Sequence, residues 1–177
     1  MSISGKLLWG EGLFLRPQHF QQQDRYHETG LHESVRALHP YCWGVSQLQV
    51  DKDALQNDTL RLLELTVYFP DGEIYAAPGA DDLPPEIDLG AIPRGQQELT
   101  FYAALPAFKH FGGNFAPDGQ ASAAARFAQH NADTPDLYTQ AASAQLAYLK
   151  KSLRLVQESE PRDSYVSVPL LRLRRRR

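Results

Sequence analysis

Much of what would point to a chemical reaction or a membrane is missing from this chain. Of its 177 residues one is cysteine, Cys42, so no intramolecular disulfide can form and an oxidising compartment leaves no trace. No run approaches the ~18 to 20 apolar residues needed to span a bilayer, and the N-terminus lacks the basic-then-apolar order of a secretory signal. The expectation is a protein that neither inserts in a membrane nor leaves by the general secretory route, at home in the cytosol.

Catalytic patterns are missing as well. Gly10-x-Gly12 has Leu15 where the third glycine of a dinucleotide loop would stand, and no G-K-[ST] follows any glycine loop. There is no G-x-S-x-G elbow, and Cys42, between Tyr41 and Trp43, reads as a core position instead of a nucleophile. His27-Glu28 with His32 is one residue longer than the zincin spacing, which sets the two imidazoles about 140° apart on a helix, too far round to share a metal. His19, His27, His32 and His39 are then helix-surface and helix-end residues. Asp81, Asp82, Glu86 and Asp88 lie in a proline-rich stretch and read as solvated, because paired acid-base carboxylates need walls to split their pKa values. No catalytic, cofactor or metal site emerges, and an enzyme is not expected.

What is present is ordinary for a globular domain: 42% hydrophobic and 22% charged residues, with enough length to bury a core without staples. The net charge of −3 becomes −7 when the run Arg174 to Arg177 is set aside. A nucleic-acid surface would rest on Arg172 and that run alone, against an acidic body. The basic run continues a strand pattern, and no nucleic-acid partner is expected.

Periodicity divides the chain. From Gln18 to Leu38 an apolar stripe recurs at helical spacing, with Phe20, Leu31 and Leu38 within about 20° of one another and Val35 beside them. His39-Pro40 closes this helix. Gly30 inside it costs on the order of 1 kcal/mol relative to alanine, so the helix should depend on docking, with Phe20 turned inward. Past Pro40 the period becomes two. Leu63, Leu65, Val67 and Phe69 alternate with Glu64, Thr66 and Tyr68, Pro70-Asp71-Gly72 is turn chemistry, and Glu73 to Ala77 can return as a hairpin. Leu99 to Leu105 alternates likewise, and Trp43 to Val50 does so with an apolar side that shifts after Val45, as a bulge would produce. The segment from Ala77 to Gln97, with Pro78, Pro84, Pro85 and Pro93, should run extended over the surface. Phe108 to Ala125 is rich in glycine and alanine and reads as an excursion between strands. Leu146, Leu149, Leu153 and Val156, spaced 3, 4 and 3, fit an amphipathic helix.

The stretch from Leu8 to Tyr26, L-W-G-E-G-L-F-L-R-P-Q-H-F-Q-Q-Q-D-R-Y, follows no core or catalytic pattern. Gly10 and Gly12 relax the backbone around Glu11, and Pro17 after Arg16 suits the first turn of a helix, where its missing N–H is not needed. Trp9, Phe14 and Arg16 are residue types enriched at protein interfaces. The order W-x-E-G-x-F-L-R-P-Q-H-F-Q-Q-Q-D closely resembles the N-terminus of the TssK family, baseplate subunits of bacterial type VI secretion systems. Thinner likeness extends through Arg126-Phe127, Asp133 to Asp136, Leu153-Arg154-Leu155 and Tyr165 to Leu173.

The resemblance implies a mainly β fold: an antiparallel β-sandwich with an N-terminal α-helix, like the shoulder domain of siphophage receptor-binding proteins. The implied layout is one shoulder domain over 1–177, with a hook at 1–17, a helix at 18–39 and a sandwich over 43–173 interrupted near 108–125, and with the neck and head of longer family members absent. Against the helical spacing, it implies strands at Lys151 to Glu158 and Tyr165 to Leu173, preceded by an irregular piece. It further implies a structural adaptor without cofactor or metal, trimeric in the full-length protein, attached to a TssF-TssG wedge. The head would face the TssJ-TssL-TssM membrane complex, at the cytoplasmic side of the inner membrane. The wedge contact is expected on Trp9, Glu11, Gly12, Phe14, Leu15, Arg16, Pro17, Gln18, His19, Phe20 and Gln22. The other class of function weighed, a carbohydrate-binding tail-like domain, would need Tyr68, Tyr75 or Tyr102 in a groove with Asp81 or Asp82.

Overall fold

A computed structural model describes residues 5–93, 95–117, 124–139 and 142–175. Its elements run α1 (Pro17–Leu38), β1 (Gly44–Val50), α2 (Lys52–Gln56), β2 (Thr59–Leu60), β3 (Leu62–Tyr68), β4 (Ile74–Ala77), β5 (Ile87–Asp88), β6 (Glu98–Pro106), β7 (Phe115–Ala116), β8 (Phe127–Thr134), β9 (Ala144–Lys151), β10 (Arg154–Gln157) and β11 (Tyr165–Arg174). The fold is mainly β with antiparallel sheets and an N-terminal helix. One sheet has the order β1-β3-β4 and a second β10-β6-β11, and side chains of both close a shared core that includes Leu65, Val67, Phe69, Tyr75, Phe101, Leu105, Leu155 and Val168.

Alternation builds both layers. In β6 Leu99, Phe101, Ala103 and Leu105 are buried while Thr100 and Tyr102 are half-buried. Between β3 and β4, Gly72 N–H donates to the Phe69 carbonyl at 3.0 Å and Phe69 N–H to the Glu73 carbonyl at 2.8 Å. That turn needs a left-handed residue, and Gly72, at φ +90°, supplies it without a Cβ penalty. The shift after Val45 is a real irregularity: Val45 pairs with Val67 and Gln47 with Thr66, leaving Ser46 over. A second shift corrects the expectation for Leu63. Gln49 pairs with Glu64 and Val50 with Leu62, so Leu63 is the extra residue and turns outward, 42% exposed, while Leu62 takes the core position. Pro169 sits in β11, an edge strand where its missing donor costs no ladder bond.

Five further expectations are corrected. Asp81 is not solvated: it is 1% exposed, its carboxylate accepting from Ala76 N–H (3.2 Å) and Lys151 N–H (2.9 Å) and pairing with Lys151 Nζ at 3.3 Å. Burying the charge is tolerable because donors surround it. The excursion at 108–125 contains β7, which runs parallel to the start of β8; residues 118–123 lie outside the described ones, as do 176–177 of the arginine run. Leu146 and Leu149 belong to no helix, and no irregular piece occupies 144–151. Those residues form β9, paired with β8 along its whole length, so cross-strand pairing overrides helical spacing. Lys151 to Glu158 is not one strand: it breaks at Ser152-Leu153, where the chain leaves the β7-β8-β9 sheet and enters the sandwich as β10. Cys42 is half-buried, flanked by exposed Tyr41 and Trp43, and is not a core residue.

The largest correction concerns α1. Its apolar stripe does not face the sandwich: Phe20 is 54% exposed, Leu31 68%, and Val35 and Leu38 are exposed as well. The buried residue of the helix is Thr29. Docking is carried by its other side, with the Arg25 guanidinium 4.4 Å from the Phe108 ring centre and the His32 ring filling the space where a side chain on Gly72 would stand. Spacing identified the apolar face of α1 correctly but carried no information on which side the sandwich lies.

Candidate interaction surface

The hook, residues 5–16, crosses no sheet and forms one loose turn, in which Leu13 N–H donates to the Gly10 carbonyl at 3.4 Å and Gly12 takes φ +79°. Glycine is required there because a side chain would strain that backbone. Arg16 is extended, at φ −132°, and caps α1, with Pro17 beginning the first turn. Its N–H donates to His19 Nδ1 at 3.0 Å, and the His19 carboxy-side turn closes through His19 N–H to the Arg16 carbonyl, also 3.0 Å. The same Nδ1 lies 3.3 Å from the Arg16 carbonyl oxygen. The Trp9 ring lies 6.1 Å from the His19 ring. The hook is thus pinned to the helix start by His19.

Around this joint the apolar residues point away from the domain. Phe14 is 81% exposed, and Leu8, Trp9, Leu13 and Leu15 are exposed too. Leu15, Arg16, Pro17, Phe20 and Gln21 line an open hollow of about 480 Å³. Among the described residues no carboxylate pairs with the Arg16 guanidinium. Of the expected contact residues, Leu15, Arg16, Pro17 and Phe20 share this hollow, and Trp9 meets His19. Glu11, Gly12, Phe14, Gln18 and Gln22 are exposed outside it. Leu8, Leu13 and Gln21 belong to the same surface and were not singled out. So were Leu31, Val35 and Leu38 missed as surface, since their spacing reads equally as a core-facing stripe.

The arrangement offers contact area and one directional donor, and no reactive constellation. Among the described residues no three His, Cys, Asp or Glu are grouped to hold a metal ion. Two of the three tyrosines named for a carbohydrate groove cannot line one, while Tyr68 is exposed. Tyr75 is fully buried with its hydroxyl donating to the Asp82 carbonyl, and burial together with Asp81 and Asp82 pushes its phenol well above the usual range. Asp81 is buried, and the Tyr102 ring is covered by Arg162, whose guanidinium carbon lies 3.8 Å from the ring centre. At the C-terminal end Arg175 is engaged with the carbonyls of Leu89, Ile92 and Pro93.

Comparison with known proteins gives a consistent result. The family model described as "Bacterial Type VI secretion, VC_A0110, EvfL, ImpJ, VasE" matches residues 19–177. The type VI secretion system baseplate component TssK1 of Pseudomonas aeruginosa is 30% identical over 178 residues, covering all of this chain and 39% of that protein. A chain of the type VI secretion TssK-TssF-TssG baseplate subcomplex superposes with a TM-score of 0.90 at 29% identity, covering 99% of this chain and 58% of the other. A crystal structure of TssK superposes with a TM-score of 0.85 at 27% identity, covering 97% and 38%. The chain spans less than two thirds of the length of each of these relatives, and it belongs to the TssK family of type VI secretion, matching the family's N-terminal domain.

Proposed function

We propose that this chain is a structural part of a type VI secretion baseplate, and that its hook and the first turn of α1 attach it to a TssF-TssG wedge. The observation that carries the reading is the outward-facing apolar hook: Trp9, Phe14 and Leu15 exposed beside an Arg16 guanidinium that has no acid partner among the described residues. Aromatic anchors and an arginine in one patch are the groups that dominate protein interfaces, and left bare they would be a liability. The match to a chain of a TssK-TssF-TssG baseplate subcomplex supports the choice of partner. In this reading Trp9, Phe14 and Leu15 are apolar anchors, Arg16 donates to carboxylate or carbonyl oxygens, and Gln18 and Gln22 hydrogen-bond at the rim. Glu11 and Gly12 set the turn that presents them, and Pro17 and His19 fix its angle to the helix. The Phe20 ring extends the apolar floor.

The protein acts by binding and performs no catalysis. In the full-length protein the wedge contact joins a homotrimer to the baseplate, and the head links it to the TssJ-TssL-TssM membrane complex at the cytoplasmic face of the bacterial inner membrane. No helix among the described residues is long and apolar enough to cross a bilayer itself. The test is co-purification of the chain with a TssF-TssG complex, intact and as the Trp9→Ala/Arg16→Ala double variant. Retention of the intact chain and loss of the folded variant are expected. Equal retention of both would remove the hook from the interface.

A further inference from the structure

The sandwich supports α1 over a short span. Arg25 meets the Phe108 ring, Thr29 is buried, and His32 fills the space where a side chain on Gly72 would stand, so residues one helical turn apart make a single docking row. Before Arg25 no residue of α1 is buried, and from Ser34 to Leu38 every residue is exposed. At a rise of 1.5 Å per residue the supported span from Arg25 to His32 is about 10 Å, and Arg16 lies about 13 Å beyond it. The helix is therefore a lever, supported in its middle and carrying the hook at one end.

The point of support is stiff and leaves no slack. Gly72 closes the turn between β3 and β4, its N–H bonded to the Phe69 carbonyl at 3.0 Å, and its neighbours Asp71 and Glu73 are both held by the buried Arg126. A Cβ on Gly72 would stand 2.5 Å from His32 Cγ and Nδ1 and 3.0 Å from its Cβ. Cβ and Cγ are the stem of that side chain, which a turn of the ring about its own axis does not move. Carbon atoms pack best at about 3.5 to 4.0 Å, so the helix would have to lift by about 1 Å at this point. Pivoting near Arg25 over a span of about 10 Å, such a lift tilts α1 by about 5° and swings the hook by a similar distance the opposite way.

We propose that Gly72 and His32 form a seat that fixes the tilt of α1, and through it the direction in which the hook is presented. Both are positioning residues: neither belongs to the hook, and His32 lies about 24 Å along the helix from Arg16. The hook is pinned to the helix start by His19 and has one loose turn of its own, so its direction is inherited from α1. Glycine at position 72 then serves two ends, the left-handed turn and the close approach of His32. The use of the hook in binding rests on the wedge reading, whereas the tilt of α1 can be read without any partner.

The test is the orientation of α1 relative to the two sheets, measured from residual dipolar couplings of the backbone amides in the 177-residue chain. Gly72→Ala should tilt α1 by about 5°. His32→Trp, which enlarges the seat from the helix side and leaves the turn intact, should tilt it the same way and carries the test if Gly72→Ala does not fold. Adding His32→Ala to Gly72→Ala takes the ring out of the clash and should return the helix to its parental orientation, although the strain of alanine at φ +90° remains. That return separates a seat from a glycine needed only by its turn. Affinity for a TssF-TssG complex should follow the tilt, about fivefold weaker in Gly72→Ala and His32→Trp and within about twofold of the parent in the double variant. An orientation unchanged in His32→Trp, a tilt that the double variant keeps, or full affinity in a tilted chain would each overturn the inference. The expected tilts in a chain that never binds TssF-TssG would instead remove the wedge reading and leave the seat standing.

Discussion

Arg126 is 2% exposed, yet it holds three parts of the chain: its guanidinium donates to the Pro106 carbonyl and pairs with Asp71 at 2.8 Å and Glu73 at 3.2 Å. Removing one member of a buried ion cluster leaves the others uncompensated, so Arg126→Met should cost about 3 kcal/mol in urea unfolding. Phe20→Ala should behave in the opposite sense from a core truncation. With half its surface already in water, the change should stay within about 1 kcal/mol in stability while weakening partner binding. Acid should reduce stability in a definable way. Asp51 caps α2, and the Ala54 N–H with the Arg61 guanidinium holds its carboxyl below the ordinary 3.8. Its contribution is therefore complete above that value and is lost as pH falls through the lowered one. Melting temperature measured from pH 6 to 2 should decline less steeply in Asp51→Asn than in the parent chain. Arg126 itself was visible in the sequence only through a family resemblance at Arg126-Phe127. Nothing local marks an arginine as buried when its acids lie more than fifty residues away.

At the level of elements, alternation made the strands of the sandwich legible, because one face of each must be apolar where two sheets close on a core. Leu99 to Leu105 and the Phe69–Glu73 turn could be read directly, and so could the bulge near Val45. Leu63 could not, since its displacement depends on pairing with Val50 across the sheet. β9 was illegible for a related reason. Ala, Gln, Leu and Lys are helix formers, and only the neighbouring β8 decides their conformation. The helix α1 shows the limit of periodicity most plainly: its stripe was found and assigned to the wrong side. Gly30 lies on that helix with no heavy atom beyond its chain neighbours and the helix's own backbone within 4 Å of where a Cβ would be. Gly30→Ala should therefore stabilise the chain by about 0.5 to 1 kcal/mol, read as a rise in urea midpoint at constant slope.

Taken whole, the molecule is a closed sandwich carrying two appendages, the hook with α1 and the β8–β9 ribbon, that expose apolar side chains the core does not use. A platform of this kind gains its rigidity from the buried sheets and leaves recognition to segments with few internal contacts. The hook was legible because its residue order matches a family, and because Trp9, Phe14 and Arg16 have no place in a strand or helix pattern. Its outward orientation was not, since an N-terminal arm can equally pack on its own domain. The central claim is that this segment engages the wedge, and amide exchange on the chain with and without a TssF-TssG complex tests it most directly. The hook amides between residues 5 and 16 have little internal hydrogen bonding and should exchange fast alone, then slow markedly, together with the first turn of α1, when the complex forms. A complex that forms while those amides stay fast, with protection elsewhere on the domain, would contradict it.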